Sequence, residues 1–191
     1  QELEELGLSG CHLEDQVNPK RCGHLDNKLI VPIEEMTRKI RASVDARCDP
    51  NFLIIARTDA RASEGMSKTI DRAKAYVDSG ADAVFPEALQ SKKEFQLFRS
   101  AMEVPLIANM TEFGKSPLLS ASELEALGYD LVIYPVTTLR LAMGAVQRGL
   151  QKISESGTQA GLVDQMHKRS ELYKLMRYQE YDRFDKNISD F

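Results

Sequence analysis

The sequence predicts an α/β protein of parallel strands, and specifically a (β/α)8 barrel of the TIM type. Five short apolar segments alternate with segments of helical periodicity, as in successive βα units. Charged or hydrogen-bonding side chains follow every one of the five, which fits a barrel face better than an open sheet with one ligand-binding switch point. No Gly-x-Gly-x-x-Gly fingerprint follows any of these strands, so a dinucleotide-binding sheet is disfavoured.

The individual elements follow from local patterns. Strands are predicted where the chain is apolar along its length, as in strands buried on both faces, at residues 10–15, 52–59, 83–87, 106–111 and 131–135. Residues 1–7 resemble the last turns of an amphipathic helix that ends at Gly7. Further helices are predicted at residues 34–44, 66–79, 91–102 and 120–127. Ser120 and Glu123 have the spacing of a capping box, and Gly80 and Gly128 stand where C-terminal caps belong.

The strand count is low for a complete barrel. A full barrel takes about 250 residues, whereas this chain has 191 residues and five predicted strands. We therefore predict an N-terminally truncated barrel over residues 1–155, followed by a C-terminal helical segment over residues 156–191.

The last part of the chain is predicted to be helical at residues 139–154 and 162–182. Residues 172–184 carry more aromatic and apolar surface than an exposed helix needs. Two interpretations remain open from the residues: packing against a partner, or docking on the same chain's barrel.

Composition excludes several classes of protein. The chain has 25 basic and 29 acidic residues, a net charge of −4, and no basic stripe for a phosphate backbone, so no nucleic-acid partner is expected. No apolar run approaches the roughly 20 residues of a membrane span, and the first residues do not show the basic-then-apolar pattern of a leader, so neither membrane insertion nor secretion is expected. Three cysteines are an odd number, which favours free thiols and a cytoplasmic location.

The loop after the first strand contains Lys20-Arg21-Cys22-Gly23-His24. Nearby positive charge favours a thiolate, so Cys22 is a candidate nucleophile, proton donor or base. The alternative is a small loop residue with ordinary cationic neighbours. A zinc site formed with Cys11 and His12 is disfavoured, because adjacent strand residues point to opposite faces and no Cys-x-x-Cys pair is present.

The strand ends bring together a ring of polar groups. By the period-two rule His12 shares a face with Glu14, and Arg57 shares one with Asp59; Asn109 and Thr111 form a third pair. Glu14 and Glu87 could organise a hard divalent cation, and Arg57 offers a planar fork for a carboxylate. Solvation of a barrel rim is the alternative for each residue taken alone.

These segments resemble a known family. The Lys20–His24 loop, preceded by Leu13-Glu14-Asp15-Gln16, is similar to the signature of the carbon–carbon lyase branch of the isocitrate lyase and phosphoenolpyruvate mutase superfamily. Within that branch, three further segments resemble the methylisocitrate lyases, and the resemblance extends over residues 6–184. These segments are Ala56-Arg57-Thr58-Asp59-Ala60, Phe85-Pro86-Glu87-Ala88 and Asn109-Met110-Thr111-Glu112-Phe113-Gly114.

The resemblance implies a Mg²⁺-dependent retro-aldol cleavage of 2-methylisocitrate, a small tricarboxylate, to pyruvate and succinate in the methylcitrate cycle of propionate catabolism. It further implies a cytoplasmic homotetramer, a dimer of dimers, with C-terminal helices exchanged between subunits. The alternatives are a related lyase or decarboxylase acting on isocitrate, dimethylmalate or oxaloacetate, or an inactive oligomerising fragment.

The resemblance also implies roles for individual residues. Cys22 is the expected catalytic acid on a mobile loop, with Lys20 and His24 as catalytic neighbours, and Glu14 reaches Mg²⁺ through water. The implied substrate contacts are Cys22, Gly23, Arg57, Glu87, Asn109, Met110, Thr111, Arg140 and Arg169. One departure counts against activity of this chain alone, because the family's Asp-x-Asp-x-Gly-x-Gly metal-ligand segment and its Ser-Gly-Gly turn are absent from the sequence.

Overall fold

The five predicted strands are all present and all parallel in the computed structural model, which describes residues 1–189. Strand β1 pairs with β2 and β2 with β3 in one sheet, and β4 pairs with β5 in a second. An isolated parallel bridge links Val84 to Leu106 between the two sheets. The strands are β1 Gly10–Glu14, β2 Leu53–Thr58, β3 Ala83–Pro86, β4 Ile107–Asn109 and β5 Leu131–Ile133. The predicted α/β fold is thus confirmed, while the truncated barrel stays a prediction.

Helices connect the strands in the predicted alternation. They are α1 Glu2–Glu5, α2 Ile33–Ala46, α3 Arg61–Asp78, α4 Lys92–Ser100 and α5 Ala121–Ala126. Helix α3 starts five residues before the predicted position and is kinked at Gly65, whose φ of 79° and ψ of 172° are not helical. The predicted start at residue 66 therefore coincides with the helical segment after the kink.

The predicted helix ends are confirmed by their capping geometry. The Ser120 hydroxyl accepts the backbone N–H of Glu123, and the Glu123 carboxylate accepts the backbone N–H of Ser120. Gly80 and Gly128 follow α3 and α5 with φ of 102° and 84°. Glycine is favoured there because a side chain is strained in the left-handed region.

Two apolar clusters hold the helices against the strands. The first contains Val84, Phe98 and Leu106, and the second contains Met36 and Ile40, all fully buried. Burial of each large side chain contributes about 1.5 to 3 kcal/mol. These clusters occupy the helix-facing side of the strands, which leaves the other side for polar groups.

The contacts divide the chain into two units, Gln1–Thr137 and a second that begins at Thr138. The second contains most of α6 Thr137–Ser156, then a 3₁₀ helix at Ala160–Gln165, α7 Arg169–Leu175 and α8 Tyr178–Ser189. The predicted domain boundary after residue 155 lies within this unit and stays a prediction, as does the segment over residues 156–191, whose last two residues lie outside the described part of the chain.

The predicted continuous helix at residues 162–182 is wrong. Helix α7 ends at Leu175, and Arg177 has a φ of 52°, in the left-handed region where a right-handed helix cannot continue. The rings of Tyr173 and Tyr178 stack across this break with centroids 4.4 Å apart. No helix within residues 1–189 is both long and apolar enough to cross a membrane.

Candidate active site

The faces of β1 and β2 divide the apolar residues from the charged ones. Cys11 and Leu13 pack against the second apolar cluster, so His12 and Glu14 lie on the opposite face by strand alternation. The parallel register places Glu14 beside Arg57, and Arg57 beside Phe85 of β3. Glu14 on β1, Arg57 on β2 and Glu87 just after β3 therefore come together at the carboxyl ends of three consecutive strands.

Arg57 is the centre of this group. Its Nε lies 2.8 Å from Asp59 Oδ2, and its Nη2 lies 3.1 Å from Glu87 Oε2 and 3.3 Å from Glu14 Oε1. The guanidinium carbon also stands 4.8 Å from the centre of the Phe85 ring. Burial alone would lower the pKa of Arg57, but the hydrogen bond to Asp59 and the three carboxylates raise it, so the guanidinium stays charged.

The carboxylates around Arg57 differ in their proton affinity. Burial pushes the pKa values of Asp59 and Glu87 upwards, yet the contacts with Arg57, and with His24 for Glu87, outweigh it and lower both. The pKa of Glu14 is raised, mainly by burial, although Lys20 opposes the shift. Asp59 and Glu87 are thus the carboxylates that remain ionised most firmly.

His24 joins the loop to Glu87. Its Nε2 lies 2.7 Å from Glu87 Oε1, and its Nδ1 accepts the backbone N–H of Lys115 at 2.9 Å. Because Nδ1 is an acceptor, the neutral ring carries its proton on Nε2, towards the carboxylate. A Cβ at position 114 would lie 2.6 Å from His24 Nδ1, so Gly114 permits this close approach.

Gly23 brings the loop backbone directly onto the charged residues. A Cβ at this position would lie 2.6 Å from both Arg57 Nη2 and Asp59 Oδ1 and would overlap Glu87 Cγ. The Gly23 carbonyl accepts a hydrogen bond from Lys28 Nζ. The Gly23 backbone therefore lies directly on the strand ends, and the neighbouring Cys22 is exposed.

The cationic neighbours of Cys22 have partners other than the thiol. Lys20 Nζ lies 2.8 Å from Glu14 Oε2, and Arg21 Nη1 donates to the Asp26 carbonyl at 3.2 Å. His24 faces Glu87, as described above. Activation of the thiol by these cations thus stays a prediction, since their closest contacts are with carboxylates and a carbonyl.

The predicted contacts at the end of β4 and just after it fall into two groups. Asn109 Nδ2 donates to both oxygens of Glu87 at 3.3 Å, and its buried Oδ1 has no hydrogen-bond partner among the described residues. Thr111, two residues further along the chain, is buried. The Met110 side chain instead joins the first apolar cluster, with Sδ accepting the Leu119 N–H at 3.2 Å.

Two predicted substrate contacts belong to the second unit. Arg140 lies within α6, and Arg169 is the first residue of α7. Their roles stay predictions.

The described residues do not fit a directly bound metal ion. No group of three His, Cys, Asp or Glu side chains between residues 1 and 189 is arranged to hold one. Lys20, Arg57 and Gln16 already contact the Glu14 carboxylate, the last by a hydrogen bond of 2.7 Å from Nε2. Contact of Glu14 with Mg²⁺ through water stays a prediction.

Sequence reasoning missed the residues that support this site. Lys28 is buried against Asp59, although its neighbours in sequence are typical of an exposed loop. Asp15 accepts the Asp59 backbone N–H at 2.8 Å and the Tyr76 hydroxyl at 2.9 Å. Asp15 was visible only as part of the Leu13–Gln16 segment, and no local pattern distinguishes Lys28 or Tyr76.

A parallel α/β fold with charged side chains at the carboxyl ends of its strands is typical of α/β enzymes, whose active sites lie there. Comparisons with known proteins agree with this class. The family model described as phosphoenolpyruvate phosphomutase matches residues 1–154. The chain therefore belongs to the phosphoenolpyruvate phosphomutase family.

Among curated relatives, the chain is 59% identical to "Probable 2-methylisocitrate lyase 1" of Corynebacterium glutamicum, over 98% of this chain and 62% of the relative. It is 48% identical to the 2-methylisocitrate lyase of Halalkalibacterium halodurans, over 99% of this chain and 62% of the relative. The chain thus spans slightly more than three fifths of the length of these relatives.

Solved structures agree in fold. The structure of 2,3-dimethylmalate lyase, a PEP mutase/isocitrate lyase superfamily member, has a TM-score of 0.87 at 30% identity, covering 97% of this chain and 62% of that one. Phosphonopyruvate hydrolase in complex with oxalate and Mg²⁺ has a TM-score of 0.80 at 28% identity, covering 96% of this chain and 64% of that one. The chain therefore has the α/β fold of this superfamily.

Proposed function

We propose that the complete protein is a methylisocitrate lyase, a carbon–carbon lyase that cleaves 2-methylisocitrate into pyruvate and succinate. The observation that carries the proposal is the close packing of the Gly23 backbone against Arg57, Asp59 and Glu87. This packing brings the Cys22 loop to a group of charged residues suited to binding a carboxylate. The names of the two curated relatives support the choice of substrate.

Substrate binding follows from the charges. A tricarboxylate carries about three negative charges at neutral pH. Nε and Nη2 of Arg57 are engaged by carboxylates, but Nη1 makes no hydrogen bond or ion pair with any residue from 1 to 189. We assign Nη1 to a substrate carboxylate and the unpartnered Asn109 Oδ1 to a substrate hydroxyl.

The reaction needs two proton transfers. The tertiary hydroxyl loses its proton to a base, the C2–C3 bond breaks, and the hydroxyl carbon becomes the carbonyl carbon of pyruvate. The electron pair of the broken bond remains on the succinate carbon, which takes the proton of the Cys22 thiol. A thiol suits this donation because its ordinary pKa lies near the working pH.

Glu87 organises the site around that step. It is held as a carboxylate by Arg57 and His24 and accepts from Asn109. Its fixed charge orients the imidazole and the amide that face the bound substrate. We infer a positioning role for Glu87 and His24, with Lys20 holding Glu14.

Magnesium is part of the proposal for the complete protein. Its support is the superfamily, in which the solved phosphonopyruvate hydrolase complex contains Mg²⁺. The described residues supply Glu14 alone, so direct ligands would have to come from other residues of the complete protein.

The remaining proposals concern the assembled protein. We propose a TIM-type barrel completed by further strands, a cytoplasmic homotetramer with exchanged C-terminal helices, and a role in propionate catabolism by the methylcitrate cycle. Exposed side chains on α7 and α8, such as Leu175 and Phe184 at 69% and 62% exposure, support an assembled state.

The test is a comparison of substrates with the complete protein. We expect Mg²⁺-dependent pyruvate release from 2-methylisocitrate, with isocitrate cleaved about 10- to 200-fold less efficiently because one methyl group is missing from an apolar contact. Dimethylmalate and oxaloacetate serve as further substrates. Preference for any of these three would contradict the proposal.

Cys22→Ser tests the acid directly. We expect turnover to fall by about 10² to 10⁴, because a hydroxyl is a much weaker acid than a thiol. Cys48→Ser is the matched control, since Cys48 is also an exposed free thiol and lies outside the site. Near-normal turnover of Cys22→Ser would remove the thiol from the mechanism.

A further inference from the structure

We propose that Lys28 is a positioning residue that holds the Cys22–Gly23 segment on the charged strand ends. The inference rests on the proposed function for its effect on turnover, because that effect presupposes that Cys22 acts on substrate. Its effect on the loop itself does not depend on any activity.

The contacts of Lys28 join two parts of the site. Its side chain is 1% exposed, and its Nζ lies 3.1 Å from Asp59 Oδ1, whose side chain is 0% exposed. The same ammonium donates to the Gly23 carbonyl. Burial of an ammonium is unfavourable unless it is paired, and here one partner follows β2 while the other is in the loop.

Asp59 has a second cationic partner besides Lys28. Arg57 already contacts both oxygens of Asp59, at 2.8 Å from Nε and 3.4 Å from Nη2. What Lys28 adds is a link between two parts of the site. Its ammonium binds both Asp59 at the end of β2 and the Gly23 carbonyl in the loop.

The position of Lys28 in the loop supports this role. Of the residues between Gly23 and Lys28, His24 is held by Glu87 and by the Lys115 backbone, whereas Leu25, Asp26 and Asn27 are exposed and supply little apolar anchoring. The chain reverses at Asn27, whose φ is 59°, and Lys28 returns beneath the loop. Its ammonium then fixes the backbone next to Cys22.

The experiment compares Lys28→Met with Lys39→Met in the complete protein. Methionine keeps most of the length and the apolar volume of the lysine side chain but removes the ammonium, and Arg57 remains to pair with Asp59. Lys39 is a control because its pair with Glu35 is on the exposed surface of α2. Far-UV circular dichroism and thermal unfolding establish that each variant is folded.

The first readout is limited trypsin digestion, with cleavage after Lys20 and Arg21 measured by mass spectrometry. Native-state cleavage follows the population of the open loop. We expect Lys28→Met to be cleaved at these bonds about tenfold faster than the wild type, whereas Lys39→Met is unchanged. Equal cleavage rates for folded Lys28→Met and wild type would overturn the inference.

The second readout is the separation of kcat from KM. Lys28 is not itself among the proposed substrate contacts, so we expect kcat to fall about 10- to 100-fold through misplacement of the loop, with a smaller rise in KM. A fall in kcat/KM carried by KM alone would overturn the inference.

A second variant covers the case in which Lys28→Met does not fold. Lys28→Gln retains a neutral donor for the Gly23 carbonyl. We therefore expect its rate of loop cleavage to lie between the rate of the wild type and the rate of an unanchored loop. Cleavage as slow as in the wild type would overturn the need for the ammonium. Faster loop cleavage in a protein whose wild type lacks lyase activity would retain the anchoring role and refute only the proposed function.

Discussion

The absence of a side chain at Gly23 decides how closely the loop backbone approaches Arg57, Asp59 and Glu87. Gly23→Ala would force its Cβ to within 2.6 Å of Arg57 Nη2, so either the loop lifts or the guanidinium moves. We expect lyase activity of the complete protein to fall about 10- to 100-fold, measured as kcat/KM for 2-methylisocitrate.

The control for this change is Gly161→Ala, because a Cβ at Gly161 meets no atom within 4 Å. It should leave kcat/KM unchanged. If Gly23→Ala has the same activity as Gly161→Ala, the close approach of the Gly23 backbone to Arg57, Asp59 and Glu87 is not needed for catalysis.

The pH dependence of stability provides a separate test of Glu87. Its pKa is lowered from the ordinary value of 4.5. The native state therefore binds fewer protons than the unfolded state, and the stabilisation is full above pH 4.5 and is lost as the pH falls through the folded pKa. As the pH is lowered below 4.5, we expect the urea concentration at the unfolding midpoint to decrease more steeply for the complete wild-type protein than for its Glu87→Gln variant.

Glu125→Gln is the matched control, because Glu125 is exposed on α5. Its midpoint should follow the wild-type curve. Parallel curves for wild type and Glu87→Gln would show that His24 and Arg57 do not hold this carboxylate in its ionised form.

Site residues differ in how far they were predictable from sequence. Arg57, Glu87 and Asn109 were accessible because they end apolar strands, and parallel strands end at one edge. Lys28 and Asp15 were not, because their roles depend on contacts with Asp59 and with Tyr76, 61 residues away from Asp15 in the chain. Long-range partners of this kind leave no periodic pattern in the sequence.

The Ser120 capping box shows how local sequence determines the start of helix α5. The Glu123 carboxylate accepts the backbone N–H of Ser120 and pairs with Lys92, and its pKa is lowered to about 2 by Lys92 and Ser120. Ser120→Ala should reduce the free energy of unfolding by about 0.5 to 2 kcal/mol, measured by urea denaturation.

Ser43→Ala is the comparison for that change. Ser43 lies inside α2 and its hydroxyl donates to the Lys39 carbonyl, so its loss should alter stability by no more than about 0.5 kcal/mol. Equal effects of the two substitutions would mean that the cap contributes nothing beyond ordinary helix propensity.

The elements that were predicted correctly are those whose boundaries are marked by residues in the local sequence. Apolar runs mark β1 to β5, and Gly80 and Gly128 mark the ends of α3 and α5. The failure at residues 162–182 has a physical reason, because Arg177 adopts the left-handed region without being glycine. A helix break at such a residue cannot be recognised from residue type.

Strands β1 and β5 stand at the two ends of the strand order in the first unit. Among the described residues β1 and β5 each have one strand neighbour, and Leu131 at the start of β5 is 49% exposed. Exposed strand edges offer unpaired backbone groups to other chains. The first unit therefore has the features of a protein that gains stability from further contacts.

The 191-residue chain expressed by itself tests both the exposed strand edges and the metal site. We expect it to associate, because the edges of β1 and β5 and the apolar side chains of α7 and α8 are exposed. We also expect no turnover of 2-methylisocitrate with saturating Mg²⁺, because Glu14 alone cannot hold an ion that prefers octahedral oxygen ligands and dehydrates reluctantly. Light scattering gives the mass in solution, and pyruvate release measured beside the complete protein gives the activity. A stable monomer would refute the association, whereas Mg²⁺-dependent turnover by the pure chain would mean that its own residues suffice for the metal site.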